Sequence, residues 1–140
     1  MASFNKFNCF VADVSNKVHN LGSDSLKIML TNTLPVATNA VKADITEISA
    51  VNGYIAGGTA IGSVTSTQTS GTYKLVPAGD VTFTASGGNI ATFRYAVIYN
   101  STPASGNLIC WADYGQSISP ASGESFVVDL DNVNGILQLI

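Results

Sequence analysis

Charge is what this sequence has least of. Only 11% of its 140 residues are Asp, Glu, Lys or Arg, against about 25% in an ordinary soluble domain. Because 46% of the residues are hydrophobic, the shortage does not mean disorder, which combines low hydrophobicity with high charge. Lys and Arg number six, too few and too scattered to build the basic stripe that phosphate contacts demand. No nucleic-acid partner is expected. Nor does any stretch approach the ~18 consecutive apolar residues of a membrane helix. The N-terminus lacks a basic segment followed by an apolar run, so no secretion signal is read there. Synthesis and folding in the cytoplasm are expected, without a membrane partner.

Chemistry-bearing residues are equally sparse. One histidine and two cysteines match none of the zinc spacings. His19 follows Lys17-Val18, with no nucleophile and orienting acid in the pattern a Ser–His or Cys–His pair needs. Cys9 and Cys110 lie among apolar neighbours and read as small hydrophobes; a disulfide between them is a matter of distance that spacing does not settle. Asp129 and Asp131 share a strand face after Glu124. Val133 and Gly135 fall where a calcium loop needs other groups, so these acids read as a solvated strand end entering a turn. Gly57-Gly58 and Gly87-Gly88 are followed by no Gly-Lys-Ser/Thr and form no phosphate loop. No catalytic residue, cofactor or metal is expected, and the chain is read as a non-enzyme.

What is present is Ser, Thr, Asn and Gly in place of charge. Such a surface is polar but neutral, and it is cheap to desolvate because no ion leaves water. Protein–protein interface cores are depleted in charge for that reason. The plainer reading is a small β protein whose turns consume these residues, and the two are compatible.

Phe4, Phe7, Val11, Val14, Val18 and Leu21 recur at steps of three and four. This spacing predicts an amphipathic helix over about 4–20, with Ser3 as N-cap and Gly22 as the stop. The period then changes to two. Strands are expected at 26–31, 59–68, 71–77, 80–85, 91–99, 107–114, 124–130 and 135–140, with a short helical turn near 42–48. Ser70-Gly71, Ala78-Gly79-Asp80 and Ser86-Gly87-Gly88-Asn89 mark turns, and Asn134-Gly135 reads as a hairpin. The aromatics Tyr54, Tyr95, Tyr99, Trp111 and Tyr114 are a conceivable sugar-stacking platform. The strands that carry most of them are apolar on both faces, which favours a core role.

Together these features predict one domain over 1–140: a mainly β, jelly-roll-like antiparallel β sandwich of about eight strands over about 24–140, preceded by the amphipathic helix. The helix stripe of Phe4, Phe7, Val11, Val14 and Val18 is expected to pack on the domain's own sheet, with its exposed end or the surroundings of Trp111 available for contact with another chain.

The segment Phe4 to Leu21, the run Asp24-Ser-Leu-Lys-Ile-Met-Leu-Thr-Asn-Thr33, the strand Phe93-Arg-Tyr-Ala-Val-Ile-Tyr-Asn100 and Gly123-Glu-Ser-Phe-Val-Val-Asp-Leu-Asp131 with the closing Asn134-Gly-Ile-Leu137 resemble small virion proteins of tailed bacteriophages. In size and order the chain is similar to the jelly-roll cement proteins of that group, as in a short-tailed Bordetella phage. The resemblance spans nearly the whole chain. It implies a non-catalytic protein on the outer capsid surface of the virion, bound across contacts between major capsid protein subunits. It also implies a homo-oligomer, a dimer first of all. A tail or neck component and a host-carbohydrate-binding module are the alternatives.

Overall fold

A computed structural model describes residues 3–140. The elements run β1 (Phe4–Lys6), α1 (Asn8–Ser15), β2 (Leu26–Thr31), a 3-10 turn (Lys42–Asp44), β3 (Thr59–Ala60), β4 (Val64–Thr69), β5 (Thr72–Pro77), β6 (Val81–Thr84), β7 (Phe93–Asn100), β8 (Leu108–Ile118), β9 (Ser125–Val128) and β10 (Leu137–Leu139). They form an antiparallel β sandwich. A five-stranded sheet has the order β1-β8-β7-β2-β3; a three-stranded sheet β10-β5-β4 and a two-stranded sheet β6-β9 lie across one of its faces.

Alternation along the strands builds the layers. Leu26, Ile28 and Leu30 of β2, Ala96 and Ile98 of β7, and Cys110 of β8 point to the main core. There they meet Leu75 of β5, Val81 and Phe83 of β6, and Val128 of β9. The opposite face of the large sheet is apolar as well. Met29, Val97, Tyr99 and Leu108 pack with Phe7 and Ile45 in a second cluster. Ile45 from the stretch 32–58, and Phe7 and Cys9 from the N-terminal segment, cover that face. This explains why β7 is buried from Tyr95 through Asn100.

The long connection 32–58 has little regular structure and is tied down by side chains instead. Asp44 accepts the backbone N–H groups of Ala40 (2.9 Å) and Val41 (3.2 Å). Glu47 accepts from the Tyr54 hydroxyl and the Gly57 N–H, both at 2.6 Å. The Tyr54 oxygen in turn accepts the Leu30 N–H (3.1 Å), and the Tyr99 hydroxyl donates to the Gly57 carbonyl (2.7 Å). At Gly58, with φ of +77°, a Cβ would collide with the Ile28 backbone. Only glycine lets the chain pass so close to β2.

The strand boundaries expected from alternation hold to within a few residues through most of the chain, and the short turn near 42–48 is the 3-10 turn. The strand expected over 59–68 is instead two, β3 and β4, because the chain leaves β2 at Ile61 and joins β5 in another sheet. With β1, ten strands stand among the described residues where about eight were expected. Beyond that, the N-terminal helix and the last turn differ. The helix expected over 4–20 is a strand followed by the shorter α1. Phe4–Lys6 pairs with β8 in the register Phe4↔Ala112, Asn5↔Trp111, Lys6↔Cys110. Phe7 takes the N-cap position with extended backbone and no side-chain cap, so Ser3 does not cap the helix. The stop is at Lys17, not Gly22. Lys17 has φ of +64°; its N–H bonds the Val14 carbonyl, and the Val18 N–H bonds the Asp13 carbonyl. That pair of bonds is the Schellman closure.

A further change concerns Asn134-Gly135, which is no hairpin. β9 pairs with β6 and β10 with β5, so the segment crosses between sheets. Gly135 (φ +89°) lies against Leu75, whose carbonyl oxygen a Cβ would meet at 2.6 Å. Asp131 holds this turn by accepting the N–H groups of Val133 (2.9 Å) and Asn134 (2.7 Å), in keeping with the strand-end reading of that carboxylate.

Candidate functional site

The residues singled out in the sequence do not form one stripe. Phe7 is fully buried in the outer cluster and packs against Trp111, ring centroids 4.5 Å apart and planes tilted by 43°. Phe4 and Val14 pack partly against the main core. Val18 lies beyond the helix end, half-buried, and Val11 is 53% exposed. The helix instead buries Phe10, completely. Phe10 and Val14, four residues apart, face the main core, whereas Phe7 at the N-cap turns to the outer cluster. The signal was present, but counting Phe4 into the same helix rotated the stripe away from it.

The aromatics are largely internal. Tyr54, Tyr95 and Tyr99 are buried, and Tyr114 meets Phe126 edge to face at 4.9 Å. Trp111 is half-buried against Phe7. They form no exposed platform. Both cysteines are free. Cys110 belongs to the main core and Cys9 packs on the outer cluster, on the other face of the sheet. Burial, with Asp13 nearby, pushes the Cys9 thiol up; burial alone does so for Cys110. Both are thiols rather than thiolates at neutral pH.

The densest polar constellation gathers around His19. Its ring is fully buried, with the Phe10 ring centroid 5.4 Å away. Nδ1 lies 3.1 Å from the Asn100 side-chain nitrogen, and Nε2 lies 3.8 Å from Asp13 Oδ2. Asn100 also donates to Asp24 Oδ2 (2.6 Å) and accepts the Thr102 N–H through Oδ1 (3.0 Å). Asp24 accepts the Asn20 N–H (2.7 Å), and Asn107 donates to Asp13 (3.0 Å). Burial pulls the His19 pKa below its usual value, while Asp13 and then Asp24 oppose the shift. No hydroxyl or thiol partners the ring nitrogens; they face an amide and a carboxylate. The sequence could not show this, since Asn100 is 81 positions from His19. A groove of about 490 Å³ runs beside the ring, lined in part by Val14, Lys17, Leu21, Tyr73 and Leu139.

A second feature is a surface rather than a cluster. β4 is an edge strand, Val64-Thr-Ser-Thr-Gln-Thr69, paired on one side only, with β5. It carries no charge and no proline, and every residue after Val64 is exposed. The turn to β5 has two residues, Ser70 (φ +52°) and Gly71 (φ +82°). With Thr69 opposite Thr72, Thr67 opposite Lys74 and Thr65 opposite Val76, the alternation of an antiparallel ladder leaves the backbone groups of Ser66 and Gln68 pointing outward. Native edges are ordinarily blunted by charge, proline or a bulge; this one is not.

Fold and surface together define a small antiparallel β sandwich with an open, neutral edge. Comparison with protein-family models, curated proteins and solved structures yields no match. No helix among the described residues is long and apolar enough to cross a membrane, and no group of three or more His, Cys, Asp or Glu side chains among them is placed to hold a metal ion.

Proposed function

We propose that this chain is a structural protein of a bacteriophage virion that decorates and stabilises the capsid by binding across contacts between major capsid protein subunits, and that it does so as a homodimer. The observation that carries the reading is the β4 edge. An extended strand with free backbone groups and no charge is a surface that another strand can join by main-chain hydrogen bonding. Two copies related by a two-fold axis would pair β4 antiparallel with itself, an isologous contact. No like charges meet there, because the strand has none. The exposed Val11, Leu34 and Val36 add apolar surface for the shell, and the resemblance to capsid cement proteins supplies the identity of the partner. A protein bound only to the assembled shell stabilises it by mass action, and repetition over the lattice multiplies weak contacts.

The deciding measurement is the copy number of this chain in purified virions relative to the major capsid protein. Near-stoichiometric amounts are expected. A few copies per particle would assign it to the tail or neck, and absence from the particle would overturn the virion reading. Dimerisation is tested separately by sedimentation of Thr65→Lys/Thr69→Lys and of Gln68→Pro. Both changes lie on the open edge, and the second removes an outward-pointing N–H. Each is expected to yield folded monomers; variants that remain dimeric would rule out β4 as the contact.

A further inference from the structure

The hydrogen bonds around Asn100 fix the protonation state of His19. The Asn100 amide has one orientation: Oδ1 accepts the Thr102 N–H at 3.0 Å, and the nitrogen donates to Asp24 at 2.6 Å. Its second N–H therefore points to His19 Nδ1 at 3.1 Å, and Nδ1 must accept. The proton of the neutral ring sits on Nε2, toward Asp13 Oδ2. A second proton would have to go on Nδ1, setting an N–H against an N–H. Flipping the amide would face its oxygen to the Asp24 carboxylate and its nitrogen to the Thr102 N–H. Only a neutral ring keeps the bond to Asn100, while Nε2, 3.8 Å from Asp13 Oδ2, is buried without a hydrogen-bond partner.

We infer that His19 is a proton-operated clasp: protonation breaks its bond to Asn100 and loosens the segment 16–25 from the end of β7. Asn100 also ties that segment to β7 through Asp24, and Ser25 is held by its carbonyl to the Ser101 N–H (2.8 Å) and hydroxyl (2.7 Å) and by its N–H to the Thr102 hydroxyl (2.9 Å). The charged and titratable groups facing the ring are Asp13 from α1, Asp24 from the segment itself, and Lys17 and Tyr73 along the groove. The two carboxylates favour the charged ring, but burial outweighs them and holds the pKa down. The segment borders the open edge, since Gly22 lies against Ser66 of β4. The inference does not depend on the virion reading.

The sole histidine makes the test direct. Ring nitrogen shifts in an NMR pH titration of the whole chain are expected to show the Nε2–H tautomer at pH 7.5 and a midpoint below the usual 6.5. Amide exchange over 16–25 is expected to quicken at least tenfold in step with that titration, while β2 and β7 stay protected. His19→Gln is expected to remove the change between pH 7 and 5 and to keep any loosening caused by carboxylate protonation at lower pH. A ring in the Nδ1–H tautomer, a midpoint at or above 6.5, or exchange over 16–25 that ignores the titration would each overturn the clasp.

Discussion

Phe10 and Val11 are neighbours with opposite roles. Phe10 has no exposed surface, whereas Val11 is 53% exposed. Removing a buried phenylalanine ring costs its transfer energy and leaves a cavity, together about 3–5 kcal/mol. Phe10→Ala is therefore expected to lower unfolding stability by that amount in a denaturant titration, and Val11→Ala by less than about 0.5 kcal/mol. The reverse order would place the helix on its other face. Phe7 is similarly buried, so an aspartate there is expected to unfold the chain rather than to probe a partner contact.

At the scale of elements, α1 is held by its ends. Lys17 occupies the left-handed closing position with φ of +64°, where a Cβ costs about 1–2 kcal/mol. Glycine relieves this but loses about 0.5–1 kcal/mol through the unfolded state. Lys17→Gly is expected to raise stability modestly, by about 0.5 kcal/mol in the same titration; a loss would show that the lysine side chain makes a contact worth more than the strain.

The same element shows where sequence patterning succeeds and fails. β2 was legible to the residue, Leu26–Thr31, because alternation with β-branched and long apolar residues has few other interpretations. The double-sided burial of β7 and of the first half of β8, Leu108 to Ala112, could be read from their apolar residues on both faces. α1 was legible only in part, since Phe4 and Phe7 satisfy a helical period while belonging to a strand and a cap. The difference is tertiary: pairing with β8 gives Phe4–Lys6 hydrogen bonds that a first helical turn would leave unmade. Asn134-Gly135 carries a true left-handed glycine, but the conformation serves a close approach to Leu75 rather than a reversal. His19 was visible as a residue and illegible as a site, because Asn100, which bonds its Nδ1, comes from a strand 81 positions away.

The whole molecule responds to pH through groups whose shifts have known signs. Asp44, Asp113 and Asp131 are held below the ordinary carboxylate value, the first and last by backbone N–H groups and Asp113 mainly by Arg94. Their folded pKa values are depressed, so they contribute above the unfolded value and lose the contribution as pH falls through the folded one. His19 is depressed also, by burial; its neutral form is fully favoured above 6.5 and is undone as pH falls. Tyr54, Tyr99 and Tyr114 are raised by burial, Tyr114 to about 12, so the unfolded chain ionises first above 10. Thermal unfolding midpoints are expected to be highest between about pH 7 and 9. They should decline in two stages on acidification, the first below 6.5 and the second below 4, and decline again above about 9, where the Cys9 and Cys110 thiols of the unfolded chain ionise first, and further above 10. A single acid stage beginning only below 4 would remove His19 from the account.

Trp111 is the sole tryptophan. It sits half-buried with its ring on Phe7, where the entry to α1 lies over the outer face of the large sheet. Its emission therefore watches one seam of the molecule rather than the main core. Lifting the N-terminal segment away should shift that emission to the red while far-ultraviolet dichroism from the strands stays unchanged. The chain carries its own optical gauge of whether α1 is docked, readable in solution without any attached label.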